Sequence, residues 1–369
     1  MKIILDRKTF AAATAVVSRA VSSKSVVPAL EGIMILTEGG KVKLVAYNLE
    51  IGMTTMVEAN IIEEGEIVIN SHLLCDIVRR LPGDEVTITV SDKLVCRIES
   101  GSAKFDIMGI KTSEFPEFPS LSDGTSLNIS ADILKSMVRQ TIFAVATNDT
   151  KPVHTGILFD IKNGVMRLVS VDGFRLALRE ENIGGVPDMR FIGSGSAMGE
   201  AVKIISDDDE NIAVNIGKRH ISFEIGKYTL ISRLLDGEFI DYENTIPKNF
   251  STTLRVSTRD LIDAVERISL VINDRLKSPL RCNIKEKTMD MSCVTSMGKA
   301  EDYCEINLNG NIIEIGFNNR YILDALRAAE TDEVIMEFNG AFAPMVIKPT
   351  EGNSFIFMVM PMRLKNENA

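Results

Sequence analysis

Three histidines, His72, His154 and His220, are the only imidazoles in the 369-residue chain, and they lie one per region. A metal cluster or a nucleophile–histidine triad needs such groups to converge, so this spacing argues against both. The best acid–base candidate by composition is Asp172-Gly173 near His154, although an aspartate holding a turn explains it more simply. Asp207-Asp208-Asp209-Glu210 gathers four carboxylates but lacks the glycine and terminal glutamate of an EF-hand loop, and reads as a solvated turn. Cys75, Cys96, Cys282, Cys293 and Cys304 are scattered, odd in number and without C-x-x-C spacing. They read as reduced thiols of a cytosolic protein, forming neither a zinc site nor a disulfide framework. No G-x-S-x-G, Walker loop or H-E-x-x-H occurs. The expectation is a protein without catalytic residues, metal or cofactor.

The elements that carry these residues come in three copies. Glu114-Phe115-Pro116-Glu117-Phe118 returns 124 residues later as Glu238-Phe239-Ile240-Asp241-Tyr242. Asp84-Glu85-Val86-Thr87-Ile88-Thr89-Val90 returns from Glu210 to Ile216 and again from Asp332 to Phe338, and Pro28, Pro152 and Pro279 each open an extended apolar stretch. Each copy predicts a first helix (Thr9 to Ala20, Ala131 to Ala146, Thr258 to Val271) and a second (Ser71 to Leu81, Ser196 to Ile205, Asn319 to Ala329). Phe10, Ala13, Val17 and Ala20 recur at helical spacing in the first, and Ile133, Met137, Thr141 and Val145 define one face of its second copy. Alternating strands such as Gly32 to Leu36 and Gly156 to Asp160 fill the rest, joined by turns at Glu38-Gly39-Gly40 and Lys162-Asn163-Gly164. The fold class is α+β, with helices on one face of antiparallel sheets. Domains are expected at 1–122, 127–247 and 250–364, followed by a short tail at 365–369.

Composition sets the class of partner. Hydrophobic residues make up 45% and charged residues 25%, the balance of an ordinary soluble domain protein, and no apolar run reaches membrane-spanning length. Net charge is −10, yet the six helical segments together carry +5, residues 7–20 alone holding Arg7, Lys8 and Arg19 with no acid. Helices gathered on one surface would meet phosphates without reading bases. For any single helix a solvated face explains the same charges.

Three motifs carry a resemblance. Phe357-Met358-Val359-Met360-Pro361-Met362-Arg363-Leu364, Val171-Asp172-Gly173-Phe174-Arg175-Leu176-Ala177, and Leu234 to Tyr242 upstream of Ile246-Pro247-Lys248-Asn249 resemble the bacterial DNA polymerase III β subunit family, the sliding clamps. The resemblance runs from Met1 to Leu364. It implies three pseudo-equivalent clamp domains that dimerise head to tail into a six-domain ring around double-stranded DNA, with helices lining the hole. It also implies a cytoplasmic, non-catalytic processivity factor for replication and repair. The expected partners are the DNA polymerase III catalytic subunit, the clamp loader and other proteins with short clamp-binding motifs, and no membrane. A scaffold that binds proteins without enclosing DNA would share the triplication.

Matching positions imply the sites. DNA contacts fall on Lys24, His72, Asn148 and Lys151, His72 and Asn148 reading equally as helix-start residues. The chain departs from other members near Pro152-Val153, where they carry aromatic residues. The dimer joint falls on Lys104, Phe105 and Ile107 against Val271 and Ile272; for Phe105 and Ile107 the residues alone read as strand core. The partner-peptide pocket falls on His154, Val171, Gly173, Phe174, Arg175, Leu176, Ile240, Thr245, Pro344, Met358, Met360, Pro361, Met362, Arg363 and Leu364. A methionine-rich groove suits varied partners because the thioether side chain repacks easily, while a methionine-rich strand by itself reads as core. His154 and Phe174 replace an aliphatic residue and a histidine of other members, and the tail after Leu364 extends past the usual end, where it would gate the groove.

Overall fold

Each copy starts with a strand that runs straight into a helix, and the junction residue explains why. Asp6 accepts the amide of Thr9, and Ser257 accepts the amide of Asp260, so two repeats open their first helix on a side-chain cap. In chain order the helices are α1 (Arg7–Val17), α2 (Ser71–Arg80), α3 (Ala131–Ile142), α4 (Gly195–Ile204), a short α5 (Tyr242–Thr245), α6 (Thr258–Ser269) and α7 (Asn319–Ala329). All six expected helices are present. α7 has the expected bounds, whereas two others end well before the periodicity suggests: α1 tightens into a 3₁₀ turn at Ser18–Ala20, and α3 stops at Ile142. The buried face of α3 also differs from the expected one. Leu134, Met137, Val138 and Thr141 are buried, while Ile133 and Val145 are only half-buried. Thr141 is tolerated there because its hydroxyl donates to the Met137 carbonyl at 2.8 Å.

The computed structural model describes residues 1–121, 124–147, 151–272 and 278–364. It resolves into two compact units, Met1–Ala131 with Glu200–Leu234, and Asp132–Gly199 with Leu235–Ala369.

The first unit holds two antiparallel sheets. One has five strands in the order Ala59–Glu63, Lys2–Asp6, Glu85–Val90, Val95–Ser100 and Ala103–Met108, which leaves Ala103–Met108 on an edge. The other has eight strands, Thr125–Ser130 next to Asn211–Ile216, His220–Ile225 and Tyr228–Arg233, then Ile51–Val57, Lys41–Tyr47, Gly32–Glu38 and Glu66–Asn70. Here Tyr228–Arg233, of the central copy, adds to Ile51–Val57 of the first copy, with Ser232 opposite Ile51.

The second unit has one twelve-stranded sheet order, and it repeats that addition. Phe355–Val359, the last strand of the third copy, pairs with Arg175–Asn182 of the central copy, with Val359 opposite Arg175. The long strand Gly298–Gly310 pairs with Thr288–Thr295 through residues 298–305 and with Thr252–Ser257 through residues 306–310. A core of Leu254, Leu261, Val265, Phe317, Leu326, Phe338 and Phe357 lies between α6, α7 and the strands.

The repeat extends to backbone detail. Pro28 and Pro152 open 3₁₀ turns, Pro28–Glu31 and Pro152–Thr155, and the strands begin only at Gly32 and Gly156. This corrects the expectation that these prolines open strands. A fixed φ and a missing N–H suit the first position of a turn, where no donor is needed. The residues before them match closely, Val27 at φ −105° and ψ 102°, Lys151 at φ −107° and ψ 101°. Asn163 and Gly164 both take positive φ, the tight-hairpin geometry the asparagine–glycine pair predicts.

Candidate functional site

The candidate groove is built inside the second unit, around the turn Asp172-Gly173-Phe174. Asp172 Oδ1 accepts the amides of Phe174 (2.9 Å) and Arg175 (3.0 Å), so the aspartate holds a turn. Gly173 sits at φ +87°, where a side chain would be strained. The turn delivers Arg175 into the strand Arg175–Asn182. Its Nε donates to Asp172 Oδ2 at 3.0 Å and its Nη1 to Asp324 Oδ2 at 2.6 Å. Its guanidinium also lies 4.5 Å from the ring centre of Tyr321 and 5.5 Å from that of Phe143. Both carboxylates and two rings therefore fix Arg175, and burial, aided by Asp172, pushes the Tyr321 hydroxyl pKa up.

Around that clamp runs an apolar surface. Phe174 is 61% exposed and stacks on Tyr321 at 6.2 Å, and its carbonyl accepts the Met360 amide at 2.8 Å. Val171, Leu176 and Met358 belong to one cluster with Val346, Phe239 and Tyr242, and Ile240 packs on its edge. Met358 is core, as a methionine in a strand usually is, whereas Met360 one turn of the pleat away is exposed. Met362 donates its amide to the Gly316 carbonyl at 2.7 Å, and a β-carbon at Gly316 would meet Leu364 Cδ2 at 2.6 Å. Residues 362–364 are thus pinned against Gly316. Pro344 and Pro361 are half-buried, Thr245 and Arg363 exposed. His154 is buried edge-on to Phe239, ring centres 6.4 Å apart. Tyr242, from the repeated corner, donates to Asp160 Oδ2 at 2.8 Å; burial first, then that bond, raises its pKa.

Four neighbours escaped the sequence reading. Tyr321, Asp324 and Phe143 meet Arg175 only through the tertiary fold, and Phe342, 84% exposed, stands two residues before Pro344. A phenylalanine in an otherwise small-residue hairpin, Asn339-Gly340-Ala341-Phe342-Ala343-Pro344, is the one signal that was readable.

The other site residues lie elsewhere. Lys24 is exposed on a loop held by the Ser22 hydroxyl, which donates to the Lys24 carbonyl at 3.0 Å. His72 is exposed and sits 3.5 Å from Asp76; the cap of α2 is Asn70, which accepts the Leu73 amide, so His72 does not serve as the helix-start residue. Lys151 is exposed, and Asn148 and the tail 365–369 lie outside the described residues. Phe105 is 39% exposed on the edge strand Ala103–Met108, with Lys104 also exposed and Ile107 half-buried. Val271 and Ile272 are half-buried after α6, next to Leu270, which is 82% exposed. Asp209 accepts the Ser206 amide and hydroxyl, so the acidic run closes a turn. All five cysteines are free thiols, and no group of metal-ligating side chains occurs among the described residues. Among the described residues no helix is long and apolar enough to cross a membrane.

Comparison with known proteins converges on one family. Models of the DNA polymerase III beta subunit match as its N-terminal domain over residues 1–119, its central domain over 128–241 and its C-terminal domain over 243–363. A beta sliding clamp of Halalkalibacterium halodurans is 29% identical over 98% of this chain and all of that relative. The crystal structure of a DNA polymerase III beta subunit from Eubacterium rectale superposes with a TM-score of 0.94 at 31% identity, covering 98% of this chain and 99% of that one. A sliding clamp from Bartonella birtlesii, bound to griselimycin, gives 0.92 at 31% identity, covering 99% of this chain and all of that one. The chain belongs to the DNA polymerase III beta subunit family, the beta sliding clamps, and acts as a DNA polymerase III processivity clamp.

Proposed function

We propose that two copies of this chain close into a ring around double-stranded DNA and carry replication and repair partners on the groove built around Phe174 and Arg175. The observation that supports closure is the strand addition repeated within the chain. Twice, the last strand of one copy adds to the fourth strand of the copy before it, in the same register. Among the described residues one last strand, Ala103–Met108, and one receiving segment, residues 298–305, have no such partner. Unpaired strand edges template further strands. Transferring the register sets Ile107 opposite Gly298, Asp106 opposite Lys299, Phe105 opposite Ala300 and Lys104 opposite Glu301. Opposite charges then face each other twice.

The apolar half of the joint follows the same rule. Within the second unit Phe143, just past α3, meets Phe357 of the added strand edge-on at 5.2 Å. The corresponding residues are Leu270, just past α6, and Phe105. Both are exposed in the single chain, with Val271 and Ile272 adjoining. Because the same two patches meet at both joints, the assembly closes instead of growing.

Encirclement tethers without base recognition, so the work is topological and not catalytic, in the cytoplasm. Lys24, His72 and Lys151, together with Asn148, would contact phosphates, and that affinity falls with salt. The domain limits 1–122, 127–247 and 250–364 follow the copies, although contacts join them into two units. Negative-stain class averages test the reading. Closed six-lobed rings are expected; open crescents at every concentration would leave only a protein-binding scaffold.

A further inference from the structure

The turn that frames the candidate groove has a twin in the first unit. Asn48 Oδ1 accepts the amides of Glu50 (3.0 Å) and Ile51 (2.8 Å), as Asp172 does for Phe174 and Arg175. Arg233 donates its amide to the Glu50 carbonyl at 3.0 Å, as Met360 does to Phe174. Leu49 takes φ +76°, matching Gly173 at φ +87°. The backbone frame is the same; the lining is not. Arg233 stands in place of Met360, and the hairpin Gly217-Lys218-Arg219, leading into His220, stands in place of the hairpin that carries Phe342 and Pro344.

The result is a basic patch on an acidic protein. Lys218, Arg219 and Arg233 are exposed, and among the described residues none of the three forms an ion pair, with Glu50 beside them or with any other carboxylate. They are neighbours: His220 lies directly opposite Arg233, and the Arg219 carbonyl accepts the Leu234 amide at 2.8 Å. Burial, then Arg233 and Arg219, lowers the His220 pKa, so the positive charge rests on the other three residues. An apolar element adjoins them. Leu49 is 52% exposed at a φ that disfavours any side chain, and its carbonyl accepts the Tyr47 hydroxyl at 3.3 Å. Phe118 packs edge-on against Tyr47 beneath it, 5.7 Å between ring centres.

We propose that the Asn48–Ile51 turn, the Lys218–Arg219 hairpin and Arg233 form a second partner surface, selective for an acidic peptide segment that carries an apolar residue. The proposal takes from the preceding reading only that this backbone frame accepts peptides. Three exposed cations, unpaired among the described residues, supply charge complementarity, and Leu49 supplies an anchor that a nucleic-acid backbone has no use for. Unlike the groove around Phe174, this surface selects by charge first.

Fluorescence anisotropy on the full-length protein tests it, with a short fluorescein-labelled peptide of glutamates around one leucine. An apolar groove peptide and a short DNA duplex serve as parallel probes. The acidic peptide should bind, and Arg219→Glu with Arg233→Glu should weaken it about tenfold while leaving the apolar peptide unchanged. Leu49→Gly, which relieves the backbone and keeps the fold, should weaken it about threefold through loss of the apolar contact. No binding of the acidic peptide, or equal binding by all variants, overturns the proposal. If the duplex and not the peptide loses affinity in the arginine variant, the patch is a nucleic-acid contact. Failure of the apolar peptide to bind the unaltered protein would count against the groove alone.

Discussion

Reversing one charge on the free edge strand should convert a closed dimer into a concentration-dependent mixture. In the transferred register Lys104 faces Glu301 across the joint, and cross-strand neighbours hold their β-carbons about 5 Å apart. Neither side chain is idle in the single chain: Lys104 lies 3.0 Å from Glu99, and Lys299 lies 2.6 Å from Glu301. The joint therefore gains only part of an exposed pair, which is itself worth about 0.2–1 kcal/mol. Lys104→Glu removes that gain and adds repulsion of similar size, about 1 kcal/mol per joint. A two-fold dimer contains two joints, so the cost is about 2 kcal/mol, or roughly 30-fold in the dimer Kd. Sedimentation velocity across a dilution series at low salt measures this. Glu301→Lys alone should behave alike, and the two changes together should restore the dimer, since the charges are then exchanged. A double variant weaker than either single variant would refute the register, and so would an unchanged Kd for both singles.

Two further outcomes separate groove contacts from packing and fix the acid behaviour. Phe174→Ala should weaken binding of an apolar partner peptide about tenfold with little change in Tm, because the ring is mostly exposed, whereas Leu176→Ala should cost about 2–4 kcal/mol of stability in denaturant titration. The Asp302 carboxyl is held below the usual carboxylate range chiefly by its hydrogen bond from Arg267 at 2.6 Å. A depressed folded-state pKa gives stability that is complete above the unfolded value and lost as pH falls through the folded one. Asp302→Asn should therefore lower Tm near neutral pH, and the difference should close in strong acid; a difference that persists there would mean packing is responsible.

Local chemistry was legible in the chain itself. Helix periodicity, the Asn163-Gly164 turn and the threefold return of the same blocks are relations between near neighbours or between copies, and need no knowledge of the fold. The turn role of Asp172 was readable for the same reason, since its partners are two and three residues away. Tertiary structure alone decided which strands join copies, because Tyr228 to Arg233 finds Ile51 to Val57 through backbone hydrogen bonds that any sequence can make. It also decided that Arg175 is clamped by Asp324, 149 residues distant, and that Met358 is buried while Met360 is exposed. Motif alignment marked the groove residues; only the fold showed that the same frame recurs around Asn48 with a basic lining. Side-chain type sets what a position can bind, and long-range strand addition sets what it is placed beside.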